Sequence, residues 1–183
     1  MQVFFSIFWW IYFGIFFSGF PLVFTFFFLL AKNKKLHHPV AEKIYPLLPV
    51  AYAFVSTCFW ILMLFTGRVN FVIEKIAPSP ILLIVILWSL SSLLFWLATF
   101  RKNIRLSFLH SIPLFLLPFL NMILRRYRNK IVDHDYIISL VKIYTAGIIV
   151  YIISIVFLLL VKWLFTHIFS RKHKLNESET LHN

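Results

Sequence analysis

Acidic residues are scarce in this chain of 183 residues, which carries 18 Lys and Arg but only 6 Asp and Glu. None of the six lies inside the long apolar runs of the sequence. Carboxylates within membrane spans are typical of proton and cation relays, so the sequence does not favour a relay of that kind. The net charge of +12 would suggest nucleic-acid binding in a soluble protein. Here the basic residues cluster at the ends of apolar runs, which indicates anionic lipid headgroups as partners and no nucleic acid.

Cysteine and glycine are also rare. Cys58 is the only cysteine, which excludes an intramolecular disulfide and a cysteine-rich metal or iron–sulfur site. The four glycines form no phosphate-binding loop, and the sequence contains neither a His-Glu-x-x-His nor a Gly-x-Ser-x-Gly motif. We therefore expect no bound metal and no cofactor, and the sequence favours a non-catalytic protein over an enzyme.

What the chain has in abundance is long apolar sequence. Hydrophobic residues make up 61% of it, against about 45–50% in a soluble domain. No charged residue and no histidine occurs from Val3 to Leu30, and about 20 apolar residues suffice for a helix to cross a membrane. The sequence predicts an all-α, polytopic transmembrane helical bundle of five spans. We expect residues 1–170 to form one transmembrane domain and residues 171–183 to form a polar, disordered tail. The predicted spans are about Phe4–Ala31, Tyr45–Thr66, Pro80–Phe100, Leu106–Leu124 and Tyr136–Phe169.

Span four has two interpretations, because Leu106–Leu124 would reach only about 28 Å as a helix and contains Pro113 and Pro118. The alternative is a bundle of four spans plus a re-entrant segment, which membranes tolerate where the irregular backbone is buried in protein. In span one, Pro21 within residues 17–21 predicts a kink because proline removes a helical hydrogen bond.

The distribution of basic residues indicates the orientation. No basic residue precedes Lys32, whereas the loop from Lys32 to Lys43 is strongly basic. The positive-inside rule then places the N-terminus outside, with the first span retained as a signal anchor. We expect an integral protein of a bacterial inner membrane.

A polar stripe follows one face of span four: Ser107, His110, Leu114, Leu117 and Asn121 recur at helical spacing. The stripe would line a polar cavity with His110 as proton carrier or ligand, or it would join helices by hydrogen bonds.

Span five adds Ser139 and Lys142, which lie near the face of Asp135. Lys142 would form a buried ion pair on a transport path, or its long side chain would reach to the membrane interface. The candidate polar cavity therefore consists of His110, Asn121, Ser139 and Lys142.

A second candidate site precedes span five. Two carboxylates flanking a histidine are able to bind a divalent metal, but aspartates at this position also cap a helix and balance nearby basic charge. With arginines positioned for a phosphate, the cluster would suit a lipid-modifying enzyme. This candidate surface cluster consists of Arg125, Arg126, Arg128, Asp133, His134 and Asp135.

These observations lead to a small non-catalytic subunit or assembly partner of a membrane complex. The alternative is a small transporter or channel built on the polar stripe of span four and Lys142. The further alternative is a membrane-surface lipid-modifying enzyme that uses the candidate surface cluster. Convergence of the polar side chains on a cavity would favour transport, and their placement at headgroups would disfavour it.

Overall fold

The computed structural model describes residues 13–32, 37–66, 80–127 and 134–180. All the regular secondary structure in these ranges is helical and no strand occurs in them, which confirms the all-α class. A 3₁₀ segment, Ser92–Trp96, follows the third helix. The helices, in chain order, are α1 (Phe13–Lys32), α2 (Pro39–Phe65), α3 (Pro80–Ser91), α4 (Ala98–Lys102), α5 (Ile104–Tyr127) and α6 (His134–Thr180).

Three helices in the described part are long and apolar enough to cross a membrane, namely Phe13–Lys32, Pro39–Phe65 and Ile137–Ile168. Two further apolar stretches, Leu83–Trp96 and Ile104–Leu117, are shorter. The structure thus supports a membrane protein with helical spans. Helix length alone establishes neither five spans nor four spans with a re-entrant segment.

α1 is interrupted at Ser18 and Gly19, within the segment where the sequence predicts a kink. Pro21 has no N–H and so removes one hydrogen bond of the helix. The hydroxyl of Tyr151 in α6 donates a hydrogen bond of 2.9 Å to the carbonyl of Phe16, just before the interruption. The bend is therefore stabilised by a neighbouring helix.

α1 and α2 are antiparallel, as the order of their ring contacts requires. Phe24, late in α1, contacts Tyr45 early in α2 with ring centroids 5.7 Å apart. Phe17, early in α1, contacts Phe59 late in α2 at 5.2 Å. Aromatic pairs of this kind contribute about 0.5–1.5 kcal/mol beyond the area they bury, so a ladder of rings holds the first two helices together.

α1 and α6 are parallel and touch through glycine. A Cβ atom added to Gly14 would meet the side chain of Ile143, and one added to Gly19 would overlap the backbone of Gly147. Because both contacts occur in the same order along the two helices, the helices run in the same direction. Small residues at a crossing allow backbones to approach closely, which is the usual basis of helix association in membranes.

α5 is antiparallel to α1. Phe108 near its start stacks on Phe24 near the end of α1, with ring centroids 4.6 Å apart. Seven residues later, the carbonyl of Phe115 accepts a 2.7 Å hydrogen bond from the hydroxyl of Tyr144. Tyr144 follows Ile143, the residue beside Gly14 at the other end of α1. α5 therefore leads from the Lys32 end of the bundle towards the opposite end.

Serine hydroxyls shape the end of α3. Ser89, Ser91 and Ser92 donate hydrogen bonds to the carbonyls of Ile86, Trp88 and Ser89, three residues earlier in each case. Such local bonds compete with the regular pattern of an α-helix, and the chain continues as the 3₁₀ segment. Ser89 and Ser92 share a buried face, as their spacing predicts.

α6 continues as one helix to Thr180, and so includes residues 171–180, for which the sequence predicts a disordered tail. The division into a transmembrane domain and a tail stays a prediction.

Candidate functional site

His110 lies half-buried where α5 meets α2 and α3. Its ring stacks on that of Trp88, with centroids 4.9 Å apart and planes within 10°. The rings of Tyr52 and Phe95 approach it edge-on at 5.7 and 5.5 Å. The three partners come from α2, α3 and the 3₁₀ segment, so the imidazole is enclosed by aromatic rings from several directions.

Both ring nitrogens of His110 have hydrogen-bond partners on other helices. Nδ1 lies 2.9 Å from the hydroxyl of Tyr52, and Nε2 lies 2.7 Å from Oγ of Ser91. The backbone also takes part, because Nε1 of Trp88 donates a 2.8 Å hydrogen bond to the carbonyl of His110. We call His110, Tyr52, Ser91 and Trp88 the histidine network.

The directions of these bonds follow from the number of protons available. Ser91 has one hydroxyl proton, and it is donated to the carbonyl of Trp88 over 2.7 Å. In the tautomer that carries its proton on Nε2, His110 donates to Oγ of Ser91. A neutral imidazole then has Nδ1 as an acceptor, which receives the proton of the Tyr52 hydroxyl. In this tautomer Tyr52, His110 and Ser91 each donate along one chain of hydrogen bonds, which ends at the Trp88 carbonyl.

The network joins three helices and leaves no polar atom of the His110 ring unsatisfied. Tyr52 is fully buried, so its hydroxyl needs an internal partner, because an unpaired buried hydroxyl costs about 1–3 kcal/mol. In chemical terms the arrangement stabilises one packing of α2, α3 and α5. It also places three exchangeable protons, on Tyr52, His110 and Ser91, in one chain of hydrogen bonds.

The predicted stripe of α5 faces the interior of the bundle where its side chains are described. Ser107 and Leu114 are buried, and His110 is half-buried between them. The helix of α5 includes Asn121, but the side chain of Asn121 lies outside the described residues. Its place in the candidate polar cavity stays a prediction.

Lys142 and Ser139 occupy exposed positions of α6. The contacts of His110 given above come instead from α2, α3 and the 3₁₀ segment, so these contacts do not bring the two α6 residues to the histidine. Lys142 and Lys162, which is also exposed, are separated by about 30 Å along the helix. This distance matches the hydrocarbon thickness of a bilayer and suits two lysines that reach opposite interfaces.

The candidate surface cluster falls largely outside the described part of the chain. Asp133 and Arg128 lie outside it altogether, and for the other four members only the helical backbone is described. Within the described residues, no group of three or more His, Cys, Asp or Glu is placed to hold a metal ion. The role of this cluster as the site of a lipid-modifying enzyme stays a prediction.

Sequence reasoning identified His110 but not its partners. Tyr52 is separated from it by 58 positions, and a tyrosine in an apolar run gives no sign of which helix its hydroxyl reaches. Ser91 is separated from His110 by 19 positions, and nothing in the sequence marks it as the partner of Nε2. Comparison of the chain with protein-family models, curated proteins and solved structures finds no match.

Proposed function

We propose that the chain is a non-catalytic subunit or assembly partner of a membrane complex. The observation that carries this proposal is the length of α6, a single helix of 47 residues. At 1.5 Å per residue it extends about 70 Å, whereas a hydrocarbon core is about 30 Å thick. A membrane helix that continues well past the bilayer offers a surface in water to another protein.

The lysines of α6 indicate which part of the helix lies in lipid. Lys142 and Lys162 bracket a stretch that fits the hydrocarbon core, and Trp163 follows at the position expected of an interfacial aromatic residue. The helix beyond Lys162 then extends about 27 Å into the aqueous phase. We call residues 163–180 the projecting helix.

The membrane part of α6 is also sparsely covered. Of its most apolar 18-residue stretch, 17% is buried inside the bundle, against 50% for the corresponding stretches of α1 and α2. The glycine face binds α1, and Phe157 stacks on Phe54 of α2 with ring centroids 5.4 Å apart. Many of the remaining Ile, Val, Leu and Phe side chains are exposed. This broad apolar face suits lipid or a helix of a partner subunit.

Helix directions support five crossings over four. α2 leads away from the Lys32 end of the bundle, yet Lys102 and Arg105 lie beside Lys32 around one pocket. α6 starts at the opposite end, because it is parallel to α1. These positions are accounted for by five crossings, in which the chain returns to the Lys32 end through α3 and leaves it again through α5. With the N-terminus outside, the Lys32 end faces the cytoplasm of a bacterial-type inner membrane, in agreement with the positive-inside rule.

Cysteine labelling tests the crossings, since Cys58→Ser gives a cysteine-free background. We expect Asn129→Cys in that background to react with a membrane-impermeant maleimide in intact cells. Asn70→Cys is the control for an outside position and Lys34→Cys for an inside one. A protected Asn129→Cys, together with labelled Asn70→Cys, would favour the four-span arrangement.

Purification in mild detergent tests the subunit proposal. We expect the intact chain to elute with a protein partner in fixed stoichiometry, and a chain ending at Ile168 to lose that partner while remaining in the membrane. The matched control is the Lys142→Gln variant, which changes α6 outside the projecting helix and is expected to keep the partner. If the intact chain is monomeric in native mass spectrometry, the proposal fails.

A monomer would instead favour the transport alternative, for which the hydrogen-bonded side chains of the histidine network are the supporting observation. Proton flux into vesicles reconstituted with the pure chain would then be expected to fall in a Tyr52→Phe variant. Tyr151→Phe is the control, because this substitution removes a buried hydroxyl outside the network.

A further inference from the structure

A basic pocket lies where four helix ends meet at the Lys32 end of the bundle. Its volume is about 470 Å³, within the range of small-ligand sites. α1 ends here, α2 and α5 begin near here, and α4 closes the side. We call it the basic pocket, and its walls are formed by Phe28, Lys32, Tyr45, Lys102, Ile104 and Arg105, together with Asn103.

Positive charge dominates the basic pocket. Lys32 and the neighbouring pair of Lys102 and Arg105 come from two separate parts of the sequence and lie around one cavity. Among the residues whose side chains the structure describes, no carboxylate lines this pocket. The one carboxylate whose side chain is described, Glu42, lies 3.9 Å from Nε2 of His37 instead. Three cations around one cavity create a positive potential there, which favours the binding of an anion.

Neutral groups in the basic pocket complement this charge. Nζ of Lys32 lies 5.9 Å from the ring centroid of Tyr45, so the aromatic face limits where the ammonium group rests. Oδ1 of Asn103 accepts a 3.2 Å hydrogen bond from the amide of Leu106 and so begins α5 at the pocket wall. The amide end of a helix carries partial positive charge, which adds to the preference for an anion.

Apolar side chains form the remaining wall. Phe28 and Ile104 are half-buried and line the cavity beside the cations. Arginine and lysine bind phosphate oxygens through charge-assisted hydrogen bonds, and the apolar wall suits a ligand that is polar at one end only. The position of the pocket at the end of three apolar helices corresponds to the headgroup layer of a membrane.

We propose that the basic pocket binds the phosphate group of an anionic ligand, either a membrane lipid headgroup or a soluble phosphate compound. This inference requires the membrane location but not a protein partner. It therefore stands or falls separately from the subunit proposal. In both cases the pocket recognises the same group, because Lys32, Lys102 and Arg105 bind phosphate oxygens.

Native mass spectrometry of the full chain with defined lipids provides the test. We expect phosphatidylglycerol to bind at least tenfold more tightly than phosphatidylcholine, and a Lys102→Gln/Arg105→Gln variant to lose that preference. The matched control is Lys142→Gln/Lys162→Gln, which removes the same charge from exposed positions outside the pocket. The control is expected to retain the tenfold preference.

Inorganic phosphate distinguishes the two sources. A lipid site keeps its phosphatidylglycerol in millimolar phosphate, whereas a site for soluble phosphate compounds releases the lipid and is stabilised by phosphate alone. The proposal is overturned if neither ligand binds, or if the pocket and control variants lose binding equally. Should the pocket variant fail to fold, a photoactivatable phosphatidylglycerol decides the matter in the natural chain. Cross-links outside residues 28–45 and 101–106 would refute the assignment.

Discussion

Replacing Gly147 by alanine is predicted to force α1 and α6 apart. The new Cβ would lie 2.8 Å from the amide nitrogen of Gly19, 3.0 Å from the carbonyl oxygen of Ile15 and 3.1 Å from Cα of Gly19. All three are backbone atoms, which cannot rotate away. Ordinary contact distances are about 3.5–4.0 Å, so the helices would have to separate by about 0.5–1 Å.

Two opposing contributions set the size of the effect. Overpacking of a close interface costs about 1–3 kcal/mol, while alanine is favoured over glycine within a helix by about 1 kcal/mol. We expect the Gly147→Ala variant to lose about 1–2 kcal/mol of unfolding free energy. Gly19→Ala should lose more, because its Cβ would lie 2.5 Å from the amide nitrogen of Ile148 and closer still to Gly147.

Gly14→Ala is the matched control, because Gly14 lies in the same contact between α1 and α6. Its Cβ would meet only a side chain, with Cγ2 of Ile143 at 2.6 Å. Rotation about a side-chain torsion of Ile143 relieves this close contact at a cost of about 0.5–1.5 kcal/mol. The helix preference of alanine nearly offsets that cost. Reversible unfolding in mixed micelles measures all three variants. If Gly147→Ala is as stable as Gly14→Ala, the close approach of the two backbones is refuted.

Further predictions concern the buried hydroxyls. His110→Ala should cost about 1–3 kcal/mol because it leaves the Tyr52 hydroxyl unpaired, and the double variant with Tyr52→Phe should cost less than the sum of the single variants. Additive values in the same unfolding assay would contradict the 2.9 Å bond between them. Tyr151→Phe should cost about 1 kcal/mol by removing the hydrogen bond to Phe16, and a variant as stable as the natural chain would argue against that bond.

The sequence was informative about where helices lie and less so about how they pair. Charge-free runs located the apolar helices, Pro21 marked the interruption of α1, and the spacing of Ser107, His110 and Leu114 indicated the inner face of α5. These features depend on residues close together in the chain. The helices themselves are apolar nearly all round, as membrane spans are, so no hydrophobic stripe identifies the face that meets a neighbour.

Pairing between helices depends instead on small residues and hydrogen bonds, whose partners are distant in sequence. Gly19 gave no sign that Gly147 would face it, and Tyr52 gave no sign that its acceptor would be His110. The basic residues were interpreted as topology signals, and that interpretation treats each basic cluster separately. That Lys32 and Arg105 lie around one cavity depends on the antiparallel arrangement of α1 and α5, which the sequence pattern does not contain.

The contact between Gly19 and Gly147 sets an order of events during biosynthesis. The first helix leaves the ribosome long before its glycine partner has been translated, and until then the surface at Gly14 and Gly19 lacks the helix that covers it in the folded chain. A product whose synthesis stops before α6 retains that open surface permanently. Only completion of the last helix covers that surface in the finished molecule.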